Sequence, residues 1–182
     1  MKSKIIILIS ICEIIGGILG ILLQIEAVLK IINSSLTTYL KMYNLLFVIF
    51  MLILYAMTTI AGILLCKKKQ KGIILSIIVQ AFQIPYISMI KISYSFIAGL
   101  QFGIAIKIFS TGPKIALLYH LGSSYLYGLN IGYSQYTVLG VNFIPIIVIS
   151  YLRKAHKIMK NNKFEEKNKA INITDDLLKS QE

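Results

Sequence analysis

The feature that most constrains this chain is a short basic segment between two long uncharged apolar runs. One run covers residues 42–66 and the other covers residues 72–90. The segment between them contains four basic residues, Lys67, Lys68, Lys69 and Lys71. Each run has at least 19 residues. At about 1.5 Å per helical residue, either can cross the roughly 30 Å hydrocarbon core of a bilayer. The arrangement predicts a membrane hairpin with its basic turn in the cytoplasm.

Composition places the whole chain among integral membrane proteins. Hydrophobic residues make up 57% of its 182 residues, charged residues 14%, and the mean hydropathy is +0.77. Soluble domains and disordered chains are more polar. The net charge of +12 comes almost entirely from lysine, since Arg153 is the one arginine. Because the basic residues flank apolar runs, they indicate membrane topology, and we predict no nucleic-acid partner.

We predict an α-helical integral membrane protein with four transmembrane helices and both termini in the cytoplasm. The helices are expected at residues 5–23, 42–66, 72–90 and 136–152. Residues 24–41 are expected to form an outer amphipathic segment. A cleaved signal peptide is the alternative for the first run, but Glu13 within it and the lack of a small-x-small cleavage site disfavour that interpretation. The scarcity of arginine, the abundance of Ile, Lys and Asn and the absence of tryptophan indicate an AT-rich genome, and from this we expect a bacterial protein. We therefore expect a multi-pass protein of the bacterial inner membrane.

The distribution of basic residues agrees with this topology. Two near the amino terminus, four in the lysine turn and eight from Arg153 onwards make 14 of the 19 basic residues cytoplasmic. Residues 153–182 then form a basic cytoplasmic tail. The first part of this tail is placed to contact anionic lipid through Arg153, Lys154 and Lys157. The lysine turn is placed to do the same.

Residues 91–135 have a different periodicity from the helices. From Ile92 to Ile108 every even-numbered residue is apolar, and such alternation is typical of a β-strand. The alternation resumes after residues 110–113. We predict a β-rich outer cap of three or four antiparallel strands, whose apolar face docks on the helix ends or on the outer interface. A fifth hydrophobic segment or a re-entrant hairpin is the alternative.

Polar residues recur at one depth in three of the predicted helices. Counted from the cytoplasmic ends, Glu13, Tyr55, Thr58, Gln80 and Gln83 all lie roughly 12 to 16 Å deep. We predict that they face one another. One interpretation is that buried hydrogen bonds fix the register of the helices. The other is a proton or ion site with Glu13 as the titrating group, since ionisable residues inside membranes are usually functional.

Residues for catalysis or metal binding are scarce. The two histidines, His120 and His156, fall on opposite sides of the predicted membrane and cannot share a site. We predict no catalytic residue, no metal and no cofactor. The leading hypothesis is a non-enzymatic interaction or accessory protein whose outer cap binds a partner protein or a second copy. The alternative is a small proton- or cation-coupled transporter or channel-like protein that titrates through Glu13.

Overall fold

A computed structural model describes residues 3–89, 93–109, 112–128 and 137–179, without the side chains of residues 3, 125–128 and 162–179. It contains four helices and four strands. In chain order they are α1 (Ser3–Ile32), α2 (Thr38–Cys66), α3 (Gln70–Phe82), β1 (Pro85–Ser88), β2 (Ser93–Phe109), β3 (Gly112–Gly128), β4 (Thr137–Asn142) and α4 (Phe143–Lys179).

Helices α1 and α2 are long and apolar enough to cross a membrane. They have 30 and 29 residues, which corresponds to about 45 Å each. Glycines bring the two helices together, because a Cβ on Gly20 would overlap the ring of Tyr55 and one on Gly17 would overlap the side chain of Thr59. The segment expected to be amphipathic, residues 24–41, is divided between the end of α1, a short connection and the start of α2.

The basic segments lie together at one end of the molecule. Lys67, Lys68 and Lys69 reverse the chain between α2 and α3. One apolar cluster then joins the start of α1, the end of α2, the start of α3 and the middle of α4, through Ile6, Leu65, Ile73, Leu152 and Ala155. The start of α1, the lysine turn and the part of α4 around Arg153 are therefore neighbours.

The third predicted crossing, residues 72–90, is not a single helix. Helix α3 ends at Phe82 after 13 residues, or about 20 Å, and strand β1 follows it. Pro85 explains the change, because proline has no N–H to donate and disfavours a helical conformation at the residue before it. The prediction of a membrane-spanning helix here is wrong.

The fourth predicted crossing, residues 136–152, begins as strand β4, and α4 starts only at Phe143. Asn142 caps α4, since its Oδ1 accepts a hydrogen bond from the N–H of Ile144 at 3.2 Å. Pro145 then lies in the first turn, where its missing N–H costs no intrahelical bond. Helix α4 continues past Arg153 to Lys179, so the predicted tail begins as part of this helix. Four transmembrane helices are not confirmed, because within the described residues only α1 and α2 have the required length and composition.

The predicted antiparallel strands are present and form one four-stranded sheet in the order β1-β4-β2-β3. Strands β2 and β3 form a long hairpin within the segment expected to be β-rich. Strands β1 and β4 come from the two segments that were expected to be helical. Residues 90–92, 110–111 and 129–136 of the predicted cap or its borders lie outside the described residues.

Strand β2 folds back on itself around the β1–β4 pair. Its first residues, beginning at Ser93, pair antiparallel with β1, and its later residues from Gly103 to Ile108 pair antiparallel with β4. Because β1 and β4 are themselves antiparallel, the two halves of β2 run in opposite directions. The bend falls at Gly99, which pairs with Gly122 of β3. Both glycines have positive φ, +123° and +109°, a conformation that other residues rarely adopt.

The bent ribbon inserts its apex between the helices. The Tyr55 hydroxyl donates to the carbonyl oxygens of Ser124, at 2.9 Å, and Ile97, at 3.2 Å. The Ser123 hydroxyl donates to the Gly16 carbonyl at 2.5 Å. Tyr55 lies 11 residues, about 17 Å, from the end of α2 at Cys66. The sheet therefore reaches the middle of α1 and α2, which agrees better with the re-entrant alternative than with a cap above the helix ends.

The apolar face of β2 packs on the helices only in its first part, where Phe96 and Ala98 join a buried cluster with Tyr55. In β2 the even-numbered residues from Leu100 to Ile108 are exposed, whereas Gln101, Gly103 and Ala105 between them are buried. In β3, Ile115 is 80% exposed and Tyr119 is 83% exposed. Beyond Gly99 the small and polar residues of β2 face inward, so the predicted docking of the apolar face on the helices is not seen in this part of the sheet.

We expect Gly20→Ala to destabilise the protein, because the added Cβ overlaps the fully buried ring of Tyr55, whose hydroxyl is held by two carbonyls. The expected loss is about 1 to 3 kcal/mol, the range for overpacked cores. Thermal unfolding in detergent would measure it. Ile18→Ala, at an exposed position of the same helix, is the control and should have a smaller effect. Equal losses for both variants would contradict the proposed close contact.

Candidate functional site

Glu13 lies at the centre of a polar cluster between α1 and α3. Its side chain is 1% exposed. The carboxylate oxygen Oε1 accepts hydrogen bonds from the Ser76 hydroxyl and from Nε2 of Gln80, the latter at 3.0 Å. Ser76 and Gln80 are four residues apart and therefore on one face of α3. The structure thus brings Glu13 and Gln80 together, as the depth count predicts.

Glu13 lines a cavity, and its second carboxylate oxygen is unpaired within the described part of the chain. Oε2 is buried and has no hydrogen-bond partner among the described residues. The cavity has a volume of about 130 Å³, enough for a small cation with part of its water shell. Its walls come from α1, α3, the bend of β2 and the start of α4. They are formed by Leu8, Ile9, Cys12, Glu13, Gln80, Gln83, Ala98, Gly99, Leu100, Ile144 and Val148.

Gln83 connects the cavity to the bend of β2. It follows the last residue of α3, and its Oε1 accepts a hydrogen bond from the N–H of Ala98 at 3.1 Å. The Nε2 group of Gln83 is buried and has no partner among the described residues. Two residues of the cavity wall therefore each have one buried atom without a partner among the described residues, an acceptor on Glu13 and a donor on Gln83.

Tyr55 and Thr58 are buried but do not line the cavity. The Thr58 hydroxyl donates to the Leu54 carbonyl of its own helix at 2.7 Å. Tyr55 donates to the backbone of the sheet, as described above. Two of the five residues predicted for the polar layer therefore support the helices and the sheet, and the other three form the cavity.

The structure adds Ser76 and the bend of β2 to the site that was predicted from the sequence. Ser76 lies one turn before Gln80, so its bond to Glu13 follows from the same helical spacing. The bend of β2, with Ala98 and Gly99, has no comparable signal, because the alternation of apolar residues continues through it. A glycine inside a strand is the one indication of a bend or close approach.

The charge of the site is not balanced by a neighbouring base. Among the described residues that line the cavity, none is basic. An ionised carboxylate away from water is strongly unfavourable unless it is paired or neutralised. The hydrogen bonds to Oε1 stabilise the charge in part, and a proton or a bound cation at Oε2 would complete the neutralisation.

The basic residues predicted to contact lipid do not line the cavity. Lys67, Lys68, Lys69, Lys71, Arg153, Lys154 and Lys157 are all exposed. They surround the end of the molecule at which α3 begins. Within the described residues no group of three His, Cys, Asp or Glu side chains could hold a metal ion.

Comparisons with protein-family models, with curated proteins and with solved structures find no match.

We expect Glu13 and Ser76 to be energetically coupled, because the hydroxyl donates to the carboxylate. Ser76→Ala should lower the free energy of unfolding by about 1 kcal/mol in the wild-type background. The loss should be smaller in a Glu13→Gln background, with a coupling energy of about 0.5 kcal/mol or more. Chemical unfolding of the four proteins in detergent would measure this cycle. Ser150→Ala is the control, since the Ser150 hydroxyl donates within α4 and its effect should add to that of Glu13→Gln. Additive losses for Ser76 would contradict the coupling.

Proposed function

We propose that this chain is a multi-pass protein of the bacterial inner membrane that binds and moves a proton or a monovalent cation through the Glu13 cavity. One observation carries the proposal: Glu13 lines a cavity of about 130 Å³, and its buried Oε2 has no partner among the described residues. Intramembrane acids of this kind commonly belong to proton relays or ion pathways.

The shape of the backbone around the cavity supports the proposal. Helix α3 ends beside the cavity, and α4 begins beside it, with Gln83 and Ile144 among its walls. In secondary transporters, ion and substrate sites lie where membrane helices are interrupted, because backbone groups and helix ends become available there. The interruption at Pro85 and the cap at Asn142 produce this arrangement here.

The proposed activity is non-enzymatic and depends on the charge of one side chain. With no ligand at Oε2, the carboxylate is held by Ser76 and Gln80 alone. Binding of a proton or a cation neutralises the site and lowers the cost of burial. Release regenerates the carboxylate with its two donors in place. Each cycle therefore requires no rearrangement of the Oε1 contacts.

We expect Glu13→Gln to abolish flux without unfolding the protein, because glutamine keeps the side-chain volume and removes the charge. Purified protein in liposomes, with a pH-sensitive or a cation-sensitive dye inside, would report proton, Na⁺ or K⁺ entry under a membrane potential. Glu26→Gln is the matched control, since Glu26 is exposed and pairs with Lys30 at 2.7 Å. Wild-type liposomes that conduct no more than empty liposomes for all three ions would contradict the proposal.

The membrane topology is part of the proposal and has its own test. We expect the lysine turn in the cytoplasm and the start of β3 outside. Single cysteines at Lys69 and Lys114, with Cys12 and Cys66 replaced by alanine, would be labelled in intact cells by a membrane-impermeant maleimide. Labelling should occur at position 114 and not at position 69 until the cells are opened. Labelling of position 69 in intact cells would overturn the orientation.

An interaction or accessory role through the sheet is the second candidate function. The observation that favours it is the exposure of β3, where Ile115, Leu117, Tyr119 and Leu121 are each at least 65% exposed. A surface of this kind marks a contact with lipid or protein. The candidate partners are a protein of the same membrane and a second copy of this chain.

A further inference from the structure

We infer that two copies of this chain join through strand β3 and form one continuous antiparallel sheet. This inference rests on the second candidate function, for which it names the partner, and it is independent of the Glu13 cavity. The features that carry it are the free edge of β3, the position of the sheet beside the helices and the symmetry of the exposed residues.

Strand β3 is a long edge strand. It has 17 residues, all of which pair with β2, and among the described residues no strand pairs with its other side. Such an edge presents a row of unpaired N–H and C=O groups, which proteins usually protect with charges, prolines or very short strands. Residues 115–119 of β3 contain neither a charge nor a proline. The centre of the edge is thus open to pairing.

Lipid alone does not satisfy this edge. The apex of the ribbon contacts Gly16 and Tyr55 in the middle of α1 and α2, so the sheet begins at membrane depth. Lipid can cover the apolar side chains, but it cannot donate to or accept from the backbone. Open sheet edges are for this reason not found facing hydrocarbon. No strand of the described residues lies there, which leaves this place for a strand of a second copy.

The exposed residues of β3 are complementary to themselves. If two β3 strands pair antiparallel with Leu118 opposite Leu118, Ile115 lies opposite Leu121 and Leu117 lies opposite Tyr119. All four exposed apolar residues then contact one another across a two-fold axis. In the same register Lys114 lies opposite Gly122, and His120 lies opposite Ala116. A shift of each strand to place Leu117 on the axis would instead set Lys114 opposite His120.

The exposure of side chains in β2 and β3 agrees with the lack of a neighbouring strand, among the described residues, on one side of β3. Ile104 and Ile106 of β2, which has strands on both sides, are 42% and 47% exposed. Their partners in β3, Leu117 and Ile115, are 65% and 80% exposed. A second β3 strand would give these residues the neighbour that β4 provides for β2.

Disulfide crosslinking at single cysteines tests the pairing and its register. In full-length protein lacking Cys12 and Cys66, Leu118→Cys should form a disulfide-linked dimer in native membranes under mild oxidation. The two thiols would be directly opposite, with Cβ atoms about 5 Å apart. Leu121→Cys is the matched control on the same strand. In this register its two copies are six residues apart, roughly 20 Å, and should stay monomeric.

The outcomes separate the inference from the functions proposed above. A dimer at position 118 and none at position 121 supports the pairing. The pairing is refuted if position 118 forms no dimer in a variant whose thermal unfolding matches that of the parent. Equal dimer yields at both positions also refute it, because they indicate random collision. If position 118 fails to crosslink while Tyr119→Lys still abolishes capture of another membrane protein, the second candidate function stands without the self-pairing. Proton or cation flux through the Glu13 cavity is measured separately and does not depend on either result.

Discussion

The rest of the structure depends on hydrogen bonds to backbone groups at the place where helices give way to strands. Four side chains supply these bonds. Gln83 accepts from Ala98, Asn142 accepts from Phe102 and Ile144, Tyr55 donates to Ile97 and Ser124, and Ser123 donates to Gly16. Peptide groups away from water are costly when unpaired. The bent ribbon can occupy the middle of the helical layer because these side chains satisfy its backbone.

The same junction accounts for both candidate functions. If α3 continued to the length of α2, its next turns would occupy the space in which the bend of β2 now lies, and no cavity would open beside Glu13. The glutamines at the end of α3 have separate tasks: Gln80 holds the carboxylate, whereas Gln83 holds the strand. The bend also directs the small residues of β2 inward, which leaves the larger apolar residues and the edge of β3 on the outside.

Sequence patterns predict part of this arrangement well. Counting residues from the lysine turn brings Glu13 and Gln80 to one depth, and the alternation after Ile92 predicts strands, because both inferences use only the rise and period of regular structure. The same patterns fail at Pro85–Ser88, where a short apolar run fits a helix or a buried strand equally well. Alternation shows which residues share a face but not which face is turned inward. The reversal of β2 depends on β4, which lies far away in the sequence.

The position of Asn142 imposes an order on the assembly of the protein. Its backbone N–H donates to the Ile84 carbonyl and its side chain accepts from the Phe102 N–H, so it closes contacts with residues 58 and 40 positions earlier. A chain that emerges from the ribosome amino terminus first contains α1, α2, α3 and the whole ribbon before it contains this residue. The helical hairpin can form early, whereas the ribbon waits for β4 before its backbone is satisfied. The contacts of the ribbon with Asn142 are therefore complete only after β4 has been synthesised, so a late, short strand completes the pairing of an earlier and longer one.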